Sequence, residues 1–138
     1  MANKTTLKLV IADDSDMIRK GLAEMIEEVN GVKVVGQAND GLEAIKMVNL
    51  YNPDVVILDL RMPRMNGLEA LEILRKANPF LIIIVLTNYP NKYYRDKCKA
   101  LGCDYFFDKS SDFEKVITTL KEIQRKRNNT TLTNLFIV

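Results

Sequence analysis

The chain holds 138 residues, 47% of them hydrophobic and 28% charged, which is one domain's worth, able to bury roughly 68–70% of its unfolded surface and a poor match to disorder, collagen or coiled coil. Twenty Lys/Arg against eighteen Asp/Glu leave a net +2, too balanced to mark a nucleic-acid binder, although ten basic residues meet twelve acidic ones up to residue 90 and ten meet only six after it. The chain has no His, which excludes a Ser-His-Asp triad, a His-ligated zinc and phosphohistidine chemistry of its own.

In chain order, short apolar runs alternate with longer amphipathic ones. Leu7–Ala12 predicts a strand. Its apolar stretch ends after four residues at two aspartates, so it is neither a signal peptide nor a membrane span, and the expected location is the cytoplasm. Met17, Ile18, Gly21, Leu22, Met25, Ile26 and Val29 keep the i, i+3/i+4 spacing of a helix with one inward stripe. Residues 32–35 predict a second strand; Leu42, Ile45 and Val48 mark a second helix; Val55–Leu58 is a third strand. Leu68, Leu71 and Leu74 set a third helix, and residues 81–86 a fourth strand. Residues 91–101 form the least patterned helix, with Tyr94, Cys98 and Leu101 inward, before a strand at residues 105–107. Phe113, Val116, Ile117, Leu120 and Ile123 define the last helix, and Ser111-Asp112-Phe113-Glu114 reads as its capping box. Asp40 and Asn66, each followed three residues later by Glu, are caps of the second and third helices.

Strands of continuous apolarity suit a parallel sheet covered on both faces, so five βα units predict an α/β doubly wound domain with helices on both sides. Ligands of such folds bind beyond the carboxyl ends of the strands. Cys98 and Cys103 make neither a disulfide framework nor a C-x-x-C motif and read as ordinary small residues.

The strand ends carry chemistry. Strand one runs into Asp13-Asp14, strand three into Asp59, strand four into Thr87 and strand five towards Lys109. Two carboxylates 4 Å apart repel by about 4 kcal/mol at an effective dielectric near 20, so a cluster of three requires raised pKa values or a cation. Mg²⁺ held by carboxylates, water and a phosphate oxygen is the natural counterion. A carboxylate nucleophile, a metal, a lysine and a hydroxyl together point to phosphoryl transfer.

With these residues in this order, the chain resembles the receiver domain of bacterial two-component response regulators over residues 7–126. The resemblance is carried by Asp13-Asp14, by the stretch from Pro53 to Gly67, by Ile82-Ile83-Ile84-Val85-Leu86-Thr87, and by Gly102-Cys103-Asp104-Tyr105-Phe106-Phe107-Asp108-Lys109. It implies a flavodoxin-like, five-stranded parallel sheet of order 2-1-3-4-5. It also implies that Asp59 accepts the phosphoryl group, that Asp14, Asp59 and the Arg61 backbone carbonyl ligate Mg²⁺, and that Asp13 acts through water. Thr87 and Lys109 would contact phosphoryl oxygens, and Thr87 and Phe106 would form the switch, with Tyr105 on the other face of its strand. The implied donor is a sensor histidine kinase or phosphotransfer protein, and the output passes to an unidentified partner protein, without direct nucleic-acid contact or a membrane span. The implied activity is that of a phosphoacceptor promoting its own phosphorylation and dephosphorylation, not of an enzyme.

Three departures from the family pattern stand out: Asn88 stands where a small residue is usual and is expected to crowd the site, Ser110 stands where a Pro usually follows the lysine, and the pair Arg61 and Tyr89 occupies places that tune dephosphorylation. The expected organisation is a receiver over residues 1–127, standing alone because too few residues follow to fold, with a tail over 128–138 ending in Leu135-Phe136-Ile137-Val138. That tail is either a frayed or packed end or a docking element. Three other readings stand beside the receiver switch. A degenerate receiver would bind partners without phosphorylation. An aspartyl-phosphate phosphatase of the haloacid-dehalogenase type would need a carboxylate where Arg61 lies. A flavin carrier would have its phosphate repelled by Asp13-Asp14-Ser15-Asp16.

Overall fold

The computed structural model describes the backbone of residues 6–137 and the side chains of residues 6–129. Five strands and five helices alternate: β1 (Leu7–Ala12), α1 (Asp16–Glu27), β2 (Val32–Ala38), α2 (Gly41–Tyr51), β3 (Val55–Leu58), α3 (Gly67–Ala77), β4 (Ile82–Thr87), α4 (Lys92–Leu101), β5 (Tyr105–Asp108) and α5 (Phe113–Ile137). The strands form one parallel sheet in the order β2-β1-β3-β4-β5. The chain order reverses between β1 and β3, which places the switch point at their carboxyl ends.

The apolar runs explain the layers. Because side chains alternate across a strand, Val55 and Ile57 of β3 enter one core while Val56 and Leu58 enter the other. The first core is completed by Leu22, Ala23 and Ile26 of α1 with Val116 and Leu120 of α5. The second is completed by Ala44 and Val48 of α2, Ala70, Leu71 and Leu74 of α3, and Cys98 of α4. Asp40 and Asn66 cap as their sequences predict, accepting from Glu43 N–H at 2.8 Å and Glu69 N–H at 3.0 Å.

Several local expectations are corrected by packing. β2 runs on to Ala38 because Gly36, Gln37 and Ala38 pair with Val10, Ile11 and Ala12 after a register shift; backbone pairing at an edge does not require apolar side chains. Met17 is 82% exposed and Met25 40%, and Ala23 takes the inward place beside Leu22. Leu42 is also exposed, since α2 turns Gly41 and Ala44 inward. The capping box at Ser111 is not formed. The helix starts at Phe113, Asp112 O accepts from Val116 N–H, and the Ser111 hydroxyl donates to the carboxylates of Asp108 and Asp112. α5 continues across the expected boundary at 127/128, while the side chains of the apolar tail lie outside the described residues. No peptide bond among the described residues is cis, Lys109–Ser110 included. No helix among them is long and apolar enough to cross a membrane.

Candidate functional site

Sheet pairing extends past the strands and fixes the site. Asp13 N–H donates to Ala38 O at 3.0 Å, Asp59 N–H to Ala12 O at 3.0 Å, and Lys109 N–H to Thr87 O at 2.8 Å. These bonds hold residues from four strand ends at one edge. Asp13, Asp59, Thr87 and Lys109 are all buried, whereas Asp14 is exposed.

The Lys109 ammonium lies between two carboxylates, 2.5 Å from Asp13 Oδ2 and 3.1 Å from Asp59 Oδ2. The second oxygen of each is held by backbone: Asp13 Oδ1 accepts from Ser15 N–H at 2.9 Å and Asp59 Oδ1 from Leu60 N–H at 2.8 Å. Burial pushes the Asp59 carboxyl above its ordinary value, with Asp13 adding to the rise and Lys109 opposing it. Burial acts to lower Lys109, but its bonds to Asp13 and Asp59 outweigh it and hold the ammonium above its usual range.

Carboxylate oxygens of Asp13, Asp14 and Asp59 lie within 4.8 Å of one another. Three anions against one lysine leave negative charge uncompensated. An all-oxygen donor set with one exposed member fits a hard divalent cation that keeps some of its water. The Thr87 hydroxyl accepts from Tyr89 N–H at 3.0 Å, which leaves its own proton to donate elsewhere.

The sequence-predicted residues Asp13, Asp14, Asp59 and Lys109 therefore converge in one strand-end cluster, and Thr87 is joined to it through the backbone bond that its carbonyl accepts from Lys109. Phe106 lies apart from it, half-buried against the α2–α3–α4 side, with the Arg95 guanidinium 4.6 Å above its ring. Tyr105 and Phe107 stack on the other face at 6.0 Å. Asn88 is exposed. Arg61 reaches across the mouth to Tyr89, its guanidinium 4.1 Å from the ring centre, a cation–π contact between the loops after β3 and β4.

Sequence reading missed what positions the loop that follows Asp59. Arg64 sits at φ 62°, and its guanidinium is paired with the buried Asp40 carboxylate. Gly41 N–H donates to Met65 O at 2.9 Å and Gly67 N–H to Leu60 O at 2.8 Å. A Cβ on Gly67 would stand 2.1 Å from Asp59 O. The loop bearing the Arg61 carbonyl is thereby clamped to α2. The glycine directly after the Asn66 cap was the available signal, since a helix rarely starts on Gly without a close neighbour.

Fold and site together define a doubly wound domain with a lysine-bridged acidic pocket at its switch point. A family model described as the response regulator receiver domain matches residues 9–121, and the chain belongs to that family. Among curated relatives, it is 28% identical over 117 residues to the response regulator GacA of Pseudomonas aeruginosa, covering 85% of this chain and 55% of that protein, so it spans about half the relative's length. Among solved structures, it is similar to the response regulator domain of Thermotoga maritima CheB, with TM-score 0.77 and 30% identity over 90% of this chain and 97% of that one. It is also similar to a chain of the CheX–CheY–BeF3–Mg²⁺ complex from Borrelia burgdorferi, with TM-score 0.78 and 27% identity over 86% and 90% of the two chains.

Proposed function

We propose that this receiver is a phosphorylation-controlled signalling switch, that Asp59 is its phosphoacceptor, and that the donor is the phosphohistidine of a sensor kinase or phosphotransfer protein. The observation that carries the reading is the burial of Asp59 with its carboxylate fixed on both oxygens, by Leu60 N–H and by Lys109. A carboxylate held this way has no rotational freedom left to lose on attack. The Asp59 oxygen forms the bond to phosphorus as the bond from phosphorus to the donor nitrogen breaks. Lys109 offsets charge on the phosphoryl oxygens and Thr87 donates its free hydroxyl proton to one of them. Asp14 and Asp59, with the Arg61 carbonyl and with Asp13 through water, are the residues that would hold Mg²⁺, which supplies charge neutralisation during transfer. Support comes from the oxygen cluster and from the similarity to a chain of the Borrelia complex with BeF3 and Mg²⁺.

The signal leaves through α4, β5 and α5. Thr87, drawn towards a new phosphoryl group, vacates space next to Phe106, over whose ring the Arg95 guanidinium lies. Lys92, Arg95, Lys97, Lys99, Lys115 and Lys121 give this face a basic character suited to an acidic partner surface. The acting unit comprises residues 1–127 and works in the cytoplasm without enzymatic action on a separate substrate.

Incubation with acetyl phosphate and Mg²⁺ followed by intact mass tests the core of this reading. The expected result is one phosphoryl adduct on the wild type and none on Asp59→Asn or in EDTA. Equal labelling with and without Mg²⁺, or stable labelling of the Asn variant at Thr87 or Ser15, would overturn it.

A further inference from the structure

α4 ends in a left-handed turn at Gly102, φ 101°. Gly102 N–H is shared between Cys98 O and Lys99 O at 3.1 Å each, and Cys103 N–H returns to Cys98 O at 3.0 Å. That last bond closes six residues, and in such a helix ending the side chains at its two ends meet. In most helices the contact is between inert apolar groups. Here both are thiols, placed side by side by the turn and packed against one core. Cys98 is wholly buried in the core between α3 and α4, and Cys103 is half-buried against that same core. The spacing of the two cysteines in the sequence showed no redox motif; the turn brings them together.

The surroundings make the two sulfurs unequal. The bond from Cys98 holds the Cys103 thiol below its ordinary value, against burial and the Asp104 carboxylate, and with help from Arg75. The Arg75 guanidinium lies along this turn, with Nε 2.9 Å from Gly102 O and Nη2 2.8 Å from Asp104 Oδ2. The Cys98 thiol is pushed up, by its bond to Cys103 and by burial. Cys103, half-buried, is the sulfur that a reagent from solvent can reach, and Cys98, wholly buried, meets it only from within, the division of labour of an attacking and a resolving cysteine.

We propose that Cys98 and Cys103 are a modification site, a dithiol that hydrogen peroxide converts to a reversible intramolecular disulfide. The Cys103 thiolate attacks one peroxide oxygen; the O–O bond breaks, a sulfenic acid forms and hydroxide leaves. Cys98 sulfur then attacks the Cys103 sulfur, the S–S bond forms, and the sulfenic oxygen departs as water with the Cys98 proton. Peroxide is reduced by two electrons, two thiols are oxidised by two, and two waters result once the hydroxide takes up the proton first lost from Cys103. The bond ties the end of α4 to the approach to β5, three residues ahead of Phe106. The site is independent of Asp59 and stands whatever that residue does.

The full chain is reduced, freed of reductant, exposed to a small excess of hydrogen peroxide, and read by intact mass, maleimide blocking and non-reducing peptide mapping. The expected wild-type result is the loss of two hydrogens, loss of both maleimide sites, no dimer, and full return on adding dithiothreitol. Trypsin cuts after Lys99, so the disulfide must also hold two otherwise separate peptides together. Cys98→Ala is expected to stop at a sulfenic acid on Cys103 that dimedone traps, and the milder Cys103→Ser to leave Cys98 unreacted, with circular dichroism confirming that both variants are folded. Two maleimide-reactive thiols surviving peroxide, a disulfide only between chains, or Cys103 oxidised to the sulfinic acid with no link to Cys98 would each overturn the proposal.

Discussion

Replacing Asp59 by Asn is expected to stabilise the protein while abolishing its chemistry. Lys109 attracts Asp59 across 3.1 Å, about 5 kcal/mol at an effective dielectric of 20. Asp13, whose oxygen is no more than 4.8 Å away, repels it by about 3.5 kcal/mol or more on the same scale. Asp14 repels it too, by roughly half as much because it is exposed to solvent screening. Attraction and repulsion nearly cancel, so the cost of burying the Asp59 carboxylate is left unbalanced. Asn keeps an oxygen for Leu60 N–H and removes the charge. In EDTA at pH 7 the variant is expected to be more stable by about 1–2 kcal/mol, or ~3–8 °C in Tm for a domain of this size. The sign of the pH dependence follows from the raised Asp59 value. A raised carboxyl favours folding below the unfolded value near 4, and that contribution is lost as pH rises through the folded value, so the advantage of Asn shrinks towards acid. Millimolar Mg²⁺ is expected to raise the Tm of the wild type and not of the variant, because binding to the folded state alone stabilises it. Thermal unfolding followed by calorimetry in EDTA and in Mg²⁺ measures all four states. An Asp59→Asn protein that is less stable than wild type in EDTA at neutral pH would refute the charge arithmetic.

Gly67→Ala is expected to cost about 3 kcal/mol or more and to depress labelling of Asp59, because a Cβ would collide with Asp59 O at 2.1 Å; urea unfolding together with acyl-phosphate labelling checks both. Arg75→Ala is expected to cost about 2–4 kcal/mol, since its guanidinium donates to Gly102 O, Asn78 O, Pro79 O, Leu81 O and Asp104, and Arg75→Lys should recover little because Lys lacks the planar fork. Full recovery by Lys in a denaturant titration would contradict that account. Asp40→Ala is expected to cost about 1–2 kcal/mol near neutral pH. The Glu43 N–H bond, with Arg64 helping and burial opposing, holds the Asp40 carboxyl below its ordinary value. Its contribution is present above about pH 4 and lost as pH falls through the folded value, so wild type and variant should converge in acid unfolding curves.

What the sequence determined by itself was whatever depends on neighbours within a few residues. Periodicity placed five strands and five helices, Asp40 and Asn66 announced their caps, and strand ends carrying Asp13, Asp14, Asp59, Thr87 and Lys109 announced a pocket in a parallel sheet. Local rules failed where another element intervened: Ser111 lost its capping role to Asp108 and Asp112, and Leu42 turned outward because α2 meets the following loop through Gly41. Only the tertiary structure decided that Asp13 and Asp59 are buried while Asp14 is not, and that one ammonium bridges the first two. It also decided that Arg64 reaches Asp40 across 24 residues and that two unremarkable cysteines close one helix-ending turn. These facts depend on the distance between strand ends and on which way a pleated backbone faces at a given residue. A shift of one position reverses that facing, and nothing within a short window of sequence resolves it.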